Sequence, residues 1–471
     1  MATTTSCTQE LEVVQMARST VLQARNWARA SVTPNGLELD QDLNSHNEAL
    51  TDCAKLYGEC ESRLGRLLAG KNHTLDDVRT WLSSALAHHR TCLDGLEERG
   101  YVQSHAETHN LTMFLSEALQ LYRKKLESVQ RPTPRRPRFN QNGGILASWS
   151  PATSKADFVV AQDGSGTHRT INEALAALGR MGNRRPQRVI IHVKSGVHNE
   201  KVDIKHHMKN IMFVGDGIGR TIVTGSRNVP DGSTTSTSAT FGVSGDGFWA
   251  RDMTFQNTAG PHKHQAVALR VSSDLSVFYR CNFIGHQDTL YVLSLRQMYR
   301  DCQIHGTIDF IFGDAIAVFQ NCDIFIRRPI DHQATMITVQ GRDDPNENTG
   351  ISIQGSRVRP SHEFIAVQHL FTNYLGRPWK KYSRTTFIKT DLGGIIHPKG
   401  WTEWDRSFAL STLYYAEYLN TGVGAFTENR VNWPGFHVLN SPQQASPFSV
   451  RRFIQGYSWI PATGVPFWPE I

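Results

Sequence analysis

The sequence lacks any long apolar run. No stretch of its 471 residues approaches the roughly 18 consecutive apolar residues that a membrane-spanning helix needs. The first residues, Met1 to Cys7, lack the basic and apolar regions of a secretory signal peptide. No group of His, Cys, Asp or Glu residues has the spacing of metal ligands, so the sequence predicts neither a metal ion nor another cofactor.

Cysteine is scarce, and acidic residues are outnumbered by basic ones. The seven cysteines are an odd number, so at least one thiol stays free if the others pair. Hydrophobic residues make up 39% of the chain and charged residues 20%, as in a globular protein. The formal net charge of +7 indicates either simple solubility or attraction to a polyanion. That polyanion could be nucleic acid, an acidic lipid surface or an acidic polysaccharide.

Residues 1–130 have the periodicity of helices, with apolar side chains recurring at every third or fourth position. The predicted helical segments are 9–31, 38–69, 75–98 and 103–128. Four helices joined by short polar loops favour an all-α four-helix bundle. Thr74, followed three residues later by Asp77, predicts the N-cap of the third helix.

Two features of the helical region concern the cellular compartment in which the protein folds. Cys53 and Cys92 fall on the second and third predicted helices, where a disulfide could join them in an oxidising compartment. The sequons at Asn72 and Asn110 are candidate glycosylation sites, although such triplets often arise by chance.

A basic, proline-rich segment, 131–156, follows the helices and begins with the residues RPTPRRPR. Proline disfavours both a helix and a central strand, so we expect an extended linker and a domain boundary here. The linker is either a spacer or a site of proteolytic processing.

The remainder of the chain, 157–471, contains short β-rich runs punctuated by Gly and Asn. Cys281, Cys302 and Cys322 lie 21 and 20 residues apart, and each is followed by a polar and then an apolar residue. A recurrence of this length indicates a solenoid whose turns stack on one another. We therefore predict an all-β right-handed parallel β-helix. The alternative, a leucine-rich repeat, would require a Leu-x-x-Leu-x-Leu pattern that is missing.

Four polar residues share the period of this solenoid. Gln265, Gln287 and Asp309 are spaced by 22 and 22 residues, and Asp288 precedes Asp309 by 21. Residues one turn apart lie about 4.8 Å from each other, so one register brings two carboxyl groups and two amides together. Gln287 and Asp288 are consecutive and would face opposite sides of a regular strand, so both reach one site only if the chain bends there.

Two adjacent carboxyl groups cannot both ionise easily, so one should hold a proton while the other stays anionic. Such a pair supplies a nucleophile and a general acid, and nearby amides can stabilise an oxyanion. The same residues could instead belong to stacked polar ladders, which solenoids commonly contain. The coincidence of all four in one register favours the catalytic interpretation.

The solenoid region contains four short blocks, Gly260-Pro261 with His264–Arg270, Gln287–Tyr291, Gly306–Gly313 and Leu375–Trp379. These blocks resemble the signature blocks of plant pectin methylesterases, and Asp163–Gly166 and Gly400–Trp404 also fit. The resemblance covers about 157–471 and implies hydrolysis of the methyl esters of polygalacturonate (pectin). The helical region resembles the inhibitor-like pro-region that precedes many of these enzymes, which implies an autoinhibitory role.

The resemblance assigns roles at the matching positions. Asp309 would be the nucleophile, and Asp288 would protonate the departing methanol and then activate water. Gln287 would stabilise the oxyanion with the assistance of Gln265. Arg377 would keep Asp309 ionised through a charge-assisted hydrogen bond.

Four further residues are implied to contact the sugar chain. Trp379, Tyr291 and Trp401 are candidates for stacking on sugar rings, although an aromatic side chain can equally serve in packing. Thr235 matches a substrate-contacting threonine, but Ser236 stands where an aromatic residue usually follows.

The resemblance also carries expectations beyond the site. It pairs Cys302 with Cys322, and it implies secretion to the cell wall although no signal peptide is visible. It makes separate pectinesterase inhibitor proteins candidate partners, and it implies a monomer that binds neither nucleic acid nor membranes.

Two alternatives remain open. The chain could be another β-helix enzyme of pectin, a polygalacturonase or a lyase, which would need two acids about a glycosidic bond or a calcium-binding acidic cluster. It could also act as an inhibitor or binding protein through its helical bundle. The four polar residues in register argue against a purely binding role.

Overall fold

The computed structural model describes residues 2–32, 41–70, 73–101, 106–128 and 144–471. Its helices are α1 (Ala2–Ser31), α2 (Gln41–Leu68), α3 (Leu75–Glu97), α4 (Ala106–Ser128), α5 (Ile145–Ser148), α6 (Ile171–Gly179), α7 (Pro442–Ala445) and α8 (Val450–Phe453). The first four lie where the sequence predicts helices, and α2, α3 and α4 match the predicted bounds to within a few residues.

The four long helices form a bundle in which α1 packs on α2 and α4, and α3 packs on the same two helices. Thr74 caps α3, because its hydroxyl accepts from the N–H of Asp77 while the Asp77 carboxylate accepts from the N–H of Thr74. A disulfide joins Cys53 of α2 to Cys92 of α3. The predicted bundle and the predicted N-cap are confirmed.

The rest of the chain is built from short strands. They are β1 (Phe158–Val160), β2 (Val189–Val193), β3 (Gly196–Asn199), β4 (Val202–Ile204), β5 (Ile211–Gly215), β6 (Thr221–Gly225), β7 (Phe241–Val243), β8 (Trp249–Arg251), β9 (Thr254–Asn257), β10 (Leu269–Val271), β11 (Ser276–Tyr279), β12 (Asn282–Ile284), β13 (Leu290–Val292), β14 (Arg296–Arg300), β15 (Gln303–Gly306), β16 (Ile311–Gly313), β17 (Ile316–Gln320), β18 (Asp323–Ile326), β19 (Thr335–Gln340), β20 (Gly350–Gln354), β21 (Arg357–Pro360), β22 (Asn373–Gly376), β23 (Arg384–Ile388), β24 (Asp391–Leu392), β25 (Tyr414–Tyr418) and β26 (Phe436–Val438).

These strands form three parallel sheets around a common interior. One sheet runs β1-β2-β5-β8-β11-β14-β17-β20-β23-β25-β26, a second runs β3-β6-β9-β12-β15-β18-β21-β24, and the third, the groove sheet, runs β4-β7-β10-β13-β16-β19-β22. Neighbouring strands in a sheet come from successive coils, which lie about 4.8 Å apart. This is the predicted right-handed parallel β-helix.

The interior of the solenoid is filled by side chains stacked in register. The ring centroids of Tyr299 and Phe319 lie 4.5 Å apart, and those of Phe278 and Tyr299 lie 5.0 Å apart. Phe255 stacks on Phe283 in the same way, with 5.8 Å between centroids. Because each ring contacts its counterpart in the next coil, the core holds the coils rigidly and fixes the positions of side chains on the outer faces.

The expected pairing of Cys302 with Cys322 is wrong in this structure, where both are buried free thiols. The Sγ of Cys302 donates to the carbonyl oxygen of Phe278 at 3.4 Å, and the Sγ of Cys322 donates to that of Tyr299 at 3.6 Å. A disulfide requires a specific relative orientation of the two Cβ–Sγ bonds, and here both thiols are instead directed at main-chain carbonyl oxygens.

Residues 144–149 lie within the range assigned to the linker and pack against the solenoid. The guanidinium of Arg251 on β8 donates to the carbonyl oxygens of Leu146 at 2.6 Å and Trp149 at 2.8 Å. The side chains of Leu146 and Trp149 are buried. The earlier part of the assigned linker, 131–143, lies outside the described residues.

The bundle lies across the groove sheet, with many charged contacts at the interface. Arg63 of α2 donates through both arms of its guanidinium to Asp246, at 2.6 and 2.7 Å. Arg296 of β14 forms an ion pair with Asp77 of α3 at 2.7 Å. Apolar residues of the solenoid, among them Leu293, Leu295 and Met336, belong to the same buried cluster as the core of the bundle. The interface therefore combines ion pairs with apolar packing.

Candidate active site

A cavity of about 340 Å³ lies on the groove sheet beneath the C-terminal end of α3. Tyr291, Phe312 and Val339 form its floor, in register on β13, β16 and β19. The complete lining is Thr91, Asp94, Gly95, Glu98, Thr235, Ser236, Gln265, Gln287, Asp288, Tyr291, Asp309, Phe312, Val339, Arg377, Trp379 and Trp404. The cavity therefore brings together eight of the nine predicted catalytic and substrate-binding residues, all except Trp401.

The two aspartates lie in the turns that precede β13 and β16. Asp288 has a φ of 63° and Asp309 a φ of 53°, in the left-handed region that aspartate adopts more readily than most residues. This conformation bends the chain sharply, so Gln287 and Asp288 both line the cavity although they are consecutive. The expected bend at this dipeptide is confirmed.

The two carboxyl groups have different partners. Arg377, directly after β22, donates from Nε to Oδ1 of Asp309 at 3.0 Å and from Nη2 to Oδ2 at 2.6 Å. Burial raises the pKa of Asp309, and the Arg377 guanidinium opposes that rise. Burial raises the pKa of Asp288 well above its ordinary value, and the charge of Asp309 raises it further. Asp288 is thus suited to hold a proton beside an ionised Asp309.

The amides of Gln265 and Gln287 line the same cavity from adjacent coils. The coils are joined here by a hydrogen bond from the N–H of Ala266 to the carbonyl oxygen of Gln287, 3.3 Å long. Primary amides donate through N–H groups and carry no charge, so they can stabilise an oxyanion that develops beside the aspartates.

Two of the predicted sugar-stacking residues line the cavity. The ring of Tyr291 stacks on that of Phe312 at a centroid distance of 4.2 Å, and Phe312 meets Trp379 edge-on at 6.1 Å. The Tyr291 hydroxyl forms a hydrogen bond of 3.1 Å with the hydroxyl of Thr91 from the bundle. Trp379 thus extends the apolar floor formed by Tyr291 and Phe312.

The prediction for Trp401 is wrong. Its side chain is fully buried in the solenoid core, where it stacks on Tyr415 at 4.2 Å and its Nε1 donates to Glu417 at 3.3 Å. Trp404 lines the cavity instead, and the Arg377 guanidinium lies 4.4 Å from its ring centroid. Both tryptophans belong to the Gly400–Trp404 block. The motif signals an aromatic residue, but which of the two faces the groove depends on how the chain turns.

The bundle closes the cavity from above. The carboxylate of Glu98, at the C-terminal end of α3, accepts from the N–H of Thr235 at 2.8 Å and from its hydroxyl at 2.6 Å. Asp94, one turn earlier, accepts from the ammonium of Lys380 at 2.9 Å. Two bundle carboxylates that line the cavity thus bind groups of the solenoid, and no simple feature of the sequence signals these contacts.

Of the two predicted glycosylation sites, the structure describes only Asn110, which does not line the cavity. Asn110 is exposed on α4, and Asn72 lies outside the described residues. Within the described ranges, no group of three or more His, Cys, Asp or Glu side chains could hold a metal ion. No helix in the part of the chain that the structure describes is long and apolar enough to cross a membrane.

Comparison with known families gives two matches. Residues 157–457 match the family model described as Pectinesterase. Residues 3–121 match the model described as Plant invertase/pectin methylesterase inhibitor. The first match contains every aspartate, glutamine and arginine placed at the cavity by the solenoid.

Individual relatives agree with these matches. A probable pectinesterase/pectinesterase inhibitor 36 from Arabidopsis thaliana is 60% identical over 98% of this chain and 95% of its own. Pectinesterase 2 from Citrus sinensis is 48% identical over 96% of this chain and 86% of its own.

Solved structures resemble the solenoid part. The pectin methylesterase from carrot has a TM-score of 0.66 and 53% identity, over 68% of this chain and 99% of its own. A pectin methylesterase from Aspergillus niger has a TM-score of 0.55 and 30% identity, over 65% of this chain and 96% of its own. The chain therefore belongs to the pectinesterase family of carboxylic ester hydrolases, with a region of the pectin methylesterase inhibitor type in front of its β-helix.

Proposed function

We propose that the ester hydrolysis of this chain takes place between Asp309 and Asp288, on the methyl esters of polygalacturonate, with release of methanol. The observation that carries the proposal is the unequal pairing of the two carboxyl groups. Arg377 holds both oxygens of Asp309 at 2.6 and 3.0 Å, whereas burial and the charge of Asp309 raise the pKa of Asp288 and so favour its protonated form.

In the first step, a carboxylate oxygen of Asp309 attacks the carbonyl carbon of the methyl ester. The oxyanion of the tetrahedral intermediate is stabilised by the amides of Gln287 and Gln265. Asp288 gives its proton to the methoxy oxygen, the bond between carbonyl carbon and methoxy oxygen breaks, and methanol leaves. An anhydride between the sugar acid and Asp309 remains.

In the second step, Asp288, now a carboxylate, takes a proton from water, and the hydroxide adds to the acyl carbon. The bond to the Asp309 oxygen breaks, which frees the galacturonate and restores the ionised Asp309. Asp288 is again protonated. Each cycle consumes one ester and one water molecule and yields one methanol and one carboxylic acid.

Other side chains that line the cavity can bind and position the polymer. Trp379, Tyr291 and Trp404 offer ring faces against which sugar rings can pack. Thr235 offers an N–H and a hydroxyl that can donate to the substrate, as they do to Glu98 in the docked bundle. The basic net charge of +7 favours attraction to pectin that already carries free carboxylates.

The helical bundle is an autoinhibitory region in this proposal. The Glu98 carboxylate accepts hydrogen bonds from Thr235, and the Asp94 carboxylate accepts one from the ammonium of Lys380. The Thr91 hydroxyl forms a hydrogen bond with the hydroxyl of Tyr291. A polysaccharide cannot lie along the groove while α3 covers it. Activity on the polymer therefore requires the bundle to move away or to be removed within the linker.

The proposal extends to the setting in which the protein acts. A polysaccharide substrate and the Cys53–Cys92 disulfide both favour secretion to the cell wall. The exposed Asn110 of the Asn110-Leu111-Thr112 sequon could then carry a glycan. We expect a monomer that separate pectinesterase inhibitor proteins can bind.

The test measures the products formed from highly methylated pectin by the full chain and by its Glu98→Gln form, so that a docked bundle does not conceal activity. We expect methanol without any change in polymer length. New reducing ends would instead indicate a polygalacturonase, and unsaturated products would indicate a lyase. Absence of methanol with both proteins would contradict the proposal.

A further inference from the structure

The turn formed by residues 285–289 connects β12 of the second sheet to β13 of the groove sheet. It carries Gln287 and Asp288, which both line the catalytic cavity. The backbone of Asp288 is left-handed, with a φ of 63°. A residue other than glycine keeps this unfavourable conformation only where its surroundings hold it. The position of Asp288 therefore depends on the groups that hold the turn.

The side chain of Asp288 supplies no anchor of its own. Arg377 holds both oxygens of Asp309, at 2.6 and 3.0 Å. The carboxyl group of Asp288, in contrast, accepts no hydrogen bond and forms no ion pair among the described residues. A proton donor must point at the oxygen that receives the proton, so here the backbone of the turn decides where that proton lies.

Main-chain bonds to the next coil fix the middle and the end of the turn. The N–H of Asp288 donates to the carbonyl oxygen of Ile308 at 3.0 Å. The hydroxyl of Thr289 donates to the carbonyl oxygen of His305 at 2.9 Å. A Cβ at Gly285 would lie 2.6 Å from this hydroxyl oxygen, so the turn closes only around a glycine.

Arg327 fixes the beginning of the turn from outside the cavity. It follows β18, two coils further along the solenoid, and its Nη1 donates to the carbonyl oxygen of Gly285 at 2.9 Å. The same nitrogen lies 3.5 Å from Nδ1 of His286. The Nε of Arg327 donates to the carboxylate of Glu363 at 2.9 Å, which holds the guanidinium in place. One side chain thus reaches across a whole coil to the turn.

The ring of His286 favours this contact because it is neutral. Burial and the positive charge of Arg327 lower the pKa of His286 to about 4. A neutral imidazole can accept a hydrogen bond through Nδ1, whereas a protonated one would repel the guanidinium.

Arg327 lies away from the reacting groups, since it does not line the cavity. The charges that shift the pKa of Asp288 most are those of Asp309, Glu98 and Arg377. An effect of Arg327 on the reaction would therefore come through the geometry of the turn.

We propose that Arg327 is a positioning residue for ester hydrolysis. Through the carbonyl oxygen of Gly285 it holds the turn in the shape that presents the proton of Asp288 and the amide of Gln287 to the ester. The inference rests on the proposed pectinesterase function and adds to it a residue outside the cavity on which the proton transfer depends.

The test measures kcat and KM for methanol release from highly methylated pectin, in the full chain with Glu98→Gln so that a docked bundle does not conceal activity. Arg327→Met removes every donor and keeps an apolar stem. We expect kcat to fall roughly tenfold or more with KM almost unchanged, because a small misplacement of a catalytic group slows the reaction by such factors. Arg327→Lys retains one donor group and should lose less, roughly threefold.

Arg328→Met is the matched control. Arg328 is the next residue, its side chain is 52% exposed, and it pairs with Asp331. We expect the parent values of kcat and KM for this variant. A residue that only stabilises the fold would change the folded fraction but not the kcat of the folded protein. The kcat is therefore expressed per folded molecule, with the folded fraction measured by near-ultraviolet circular dichroism.

A parent-like kcat for folded Arg327→Met, or equal losses for Arg327→Met and Arg328→Met, would overturn the inference. If Arg327→Met does not fold, a parent-like kcat for Arg327→Lys would overturn it in the same way. A raised KM at unchanged kcat would also overturn it, because Arg327 would then act in substrate binding. Absence of methanol from the parent would overturn the proposed function, whereas methanol release that does not depend on Arg327 would overturn only this inference.

Discussion

At the scale of single residues, the site depends on two aspartates in left-handed turns of neighbouring coils. Both carboxyl groups are buried, and burial raises both pKa values. They differ because Arg377 holds both oxygens of Asp309, while Asp288 experiences the negative charge of Asp309. One residue type therefore supplies both an acid and a nucleophile, as in other paired-carboxyl sites.

Replacement of Asp288 by asparagine is expected to stabilise the fold. Above the ordinary aspartate pKa of about 3.9, the unfolded chain ionises Asp288 while the folded chain resists ionisation, so stability falls as pH rises towards the folded pKa. The Asp288→Asn protein should therefore unfold at a higher temperature than the parent at pH 7, with loss of activity. The difference should vanish below about pH 4. Thermal unfolding at both pH values checks this, and equal or lower stability at pH 7 would contradict it.

Replacement of Arg377 by methionine should move the pH dependence of activity upwards. Arg377 lowers the pKa values of both Asp309 and Asp288, so without it both groups ionise at higher pH. We expect the pH profile of methanol release to shift to higher pH and its maximum to fall roughly a hundredfold. Arg359→Met, which removes an arginine paired with Asp391 away from the cavity, is the control. A reduced but unshifted profile would show that Arg377 does not tune the carboxyl groups.

Sequence reasoning can find the polar members of the site because their spacing is close to the coil period. The strands here repeat every 21 residues, as in Leu269, Leu290 and Ile311. The spacing of Asp288 and Asp309 matches that period, whereas the predicted spacing of 22 between Gln265 and Gln287 is one residue too long. The orientation of the aromatic side chains cannot be predicted from the sequence in this way. Trp401 and Trp404 lie three residues apart in one motif, and only the path of the chain decides that one enters the core and the other the cavity. Arg377 was found through its motif, since no period relates it to Asp309.

At the scale of secondary-structure elements, α3 is the helix of the bundle that contacts the catalytic cavity of the β-helix. It begins at the reciprocal cap of Thr74 and Asp77 and ends at Glu98 over the catalytic cavity. The hydrophobic period and the capping residues predict its position well. The coil repeat likewise predicts the β-helix, because each coil must bury the same pattern of residues.

Loss of the α3 cap should weaken the bundle. Thr74→Ala removes the hydroxyl that accepts from the Asp77 N–H at 3.1 Å, and we expect a loss of about 1 kcal/mol in the free energy of unfolding of the bundle. Chemical denaturation followed by helical circular dichroism measures it. Thr51→Ala, at an exposed site within α2, should cost less. Equal losses for the two variants would mean that the cap contributes nothing specific.

The pairing of the cysteines in successive coils could not be predicted from their spacing. Cys302 and Cys322 occupy equivalent positions of adjacent coils, which the spacing predicts correctly. Whether neighbouring thiols bond or remain apart depends on side-chain direction. In this structure each donates to a main-chain carbonyl instead.

At the scale of the whole molecule, an acidic face of the bundle covers a groove with cationic groups at both ends. Asp94, which lines the catalytic cavity, pairs with Lys380, and Glu48 of α2 pairs with Arg227 of the solenoid. The sequence predicts both domains, but the contacts between them depend on residues more than a hundred positions apart with no shared period. The docking of the bundle on the groove sheet therefore cannot be predicted from the sequence and is seen only in the structure.

Weakening this docking should raise activity on the polymer. Glu98→Gln removes the charge that accepts from both donors of Thr235, so the bundle should leave the groove more often and methanol release from pectin should rise severalfold. Glu97→Gln changes an adjacent exposed carboxylate that does not line the cavity and should leave the rate unchanged. Equal rates for the parent and both variants would exclude autoinhibition through this contact.

The most direct test concerns the nucleophile. Methanol release from methylated pectin is measured for Asp309→Asn and for Asp301→Asn, each in the Glu98→Gln background. Asp301 has the same left-handed backbone, with a φ of 55°, but lies outside the cavity, so it controls for the effect of the substitution on the turn. We predict that Asp309→Asn lowers the rate roughly a thousandfold or more while Asp301→Asn leaves it unchanged. Folded Asp309→Asn protein that releases methanol at the parent rate would contradict the assignment of Asp309 as the attacking group.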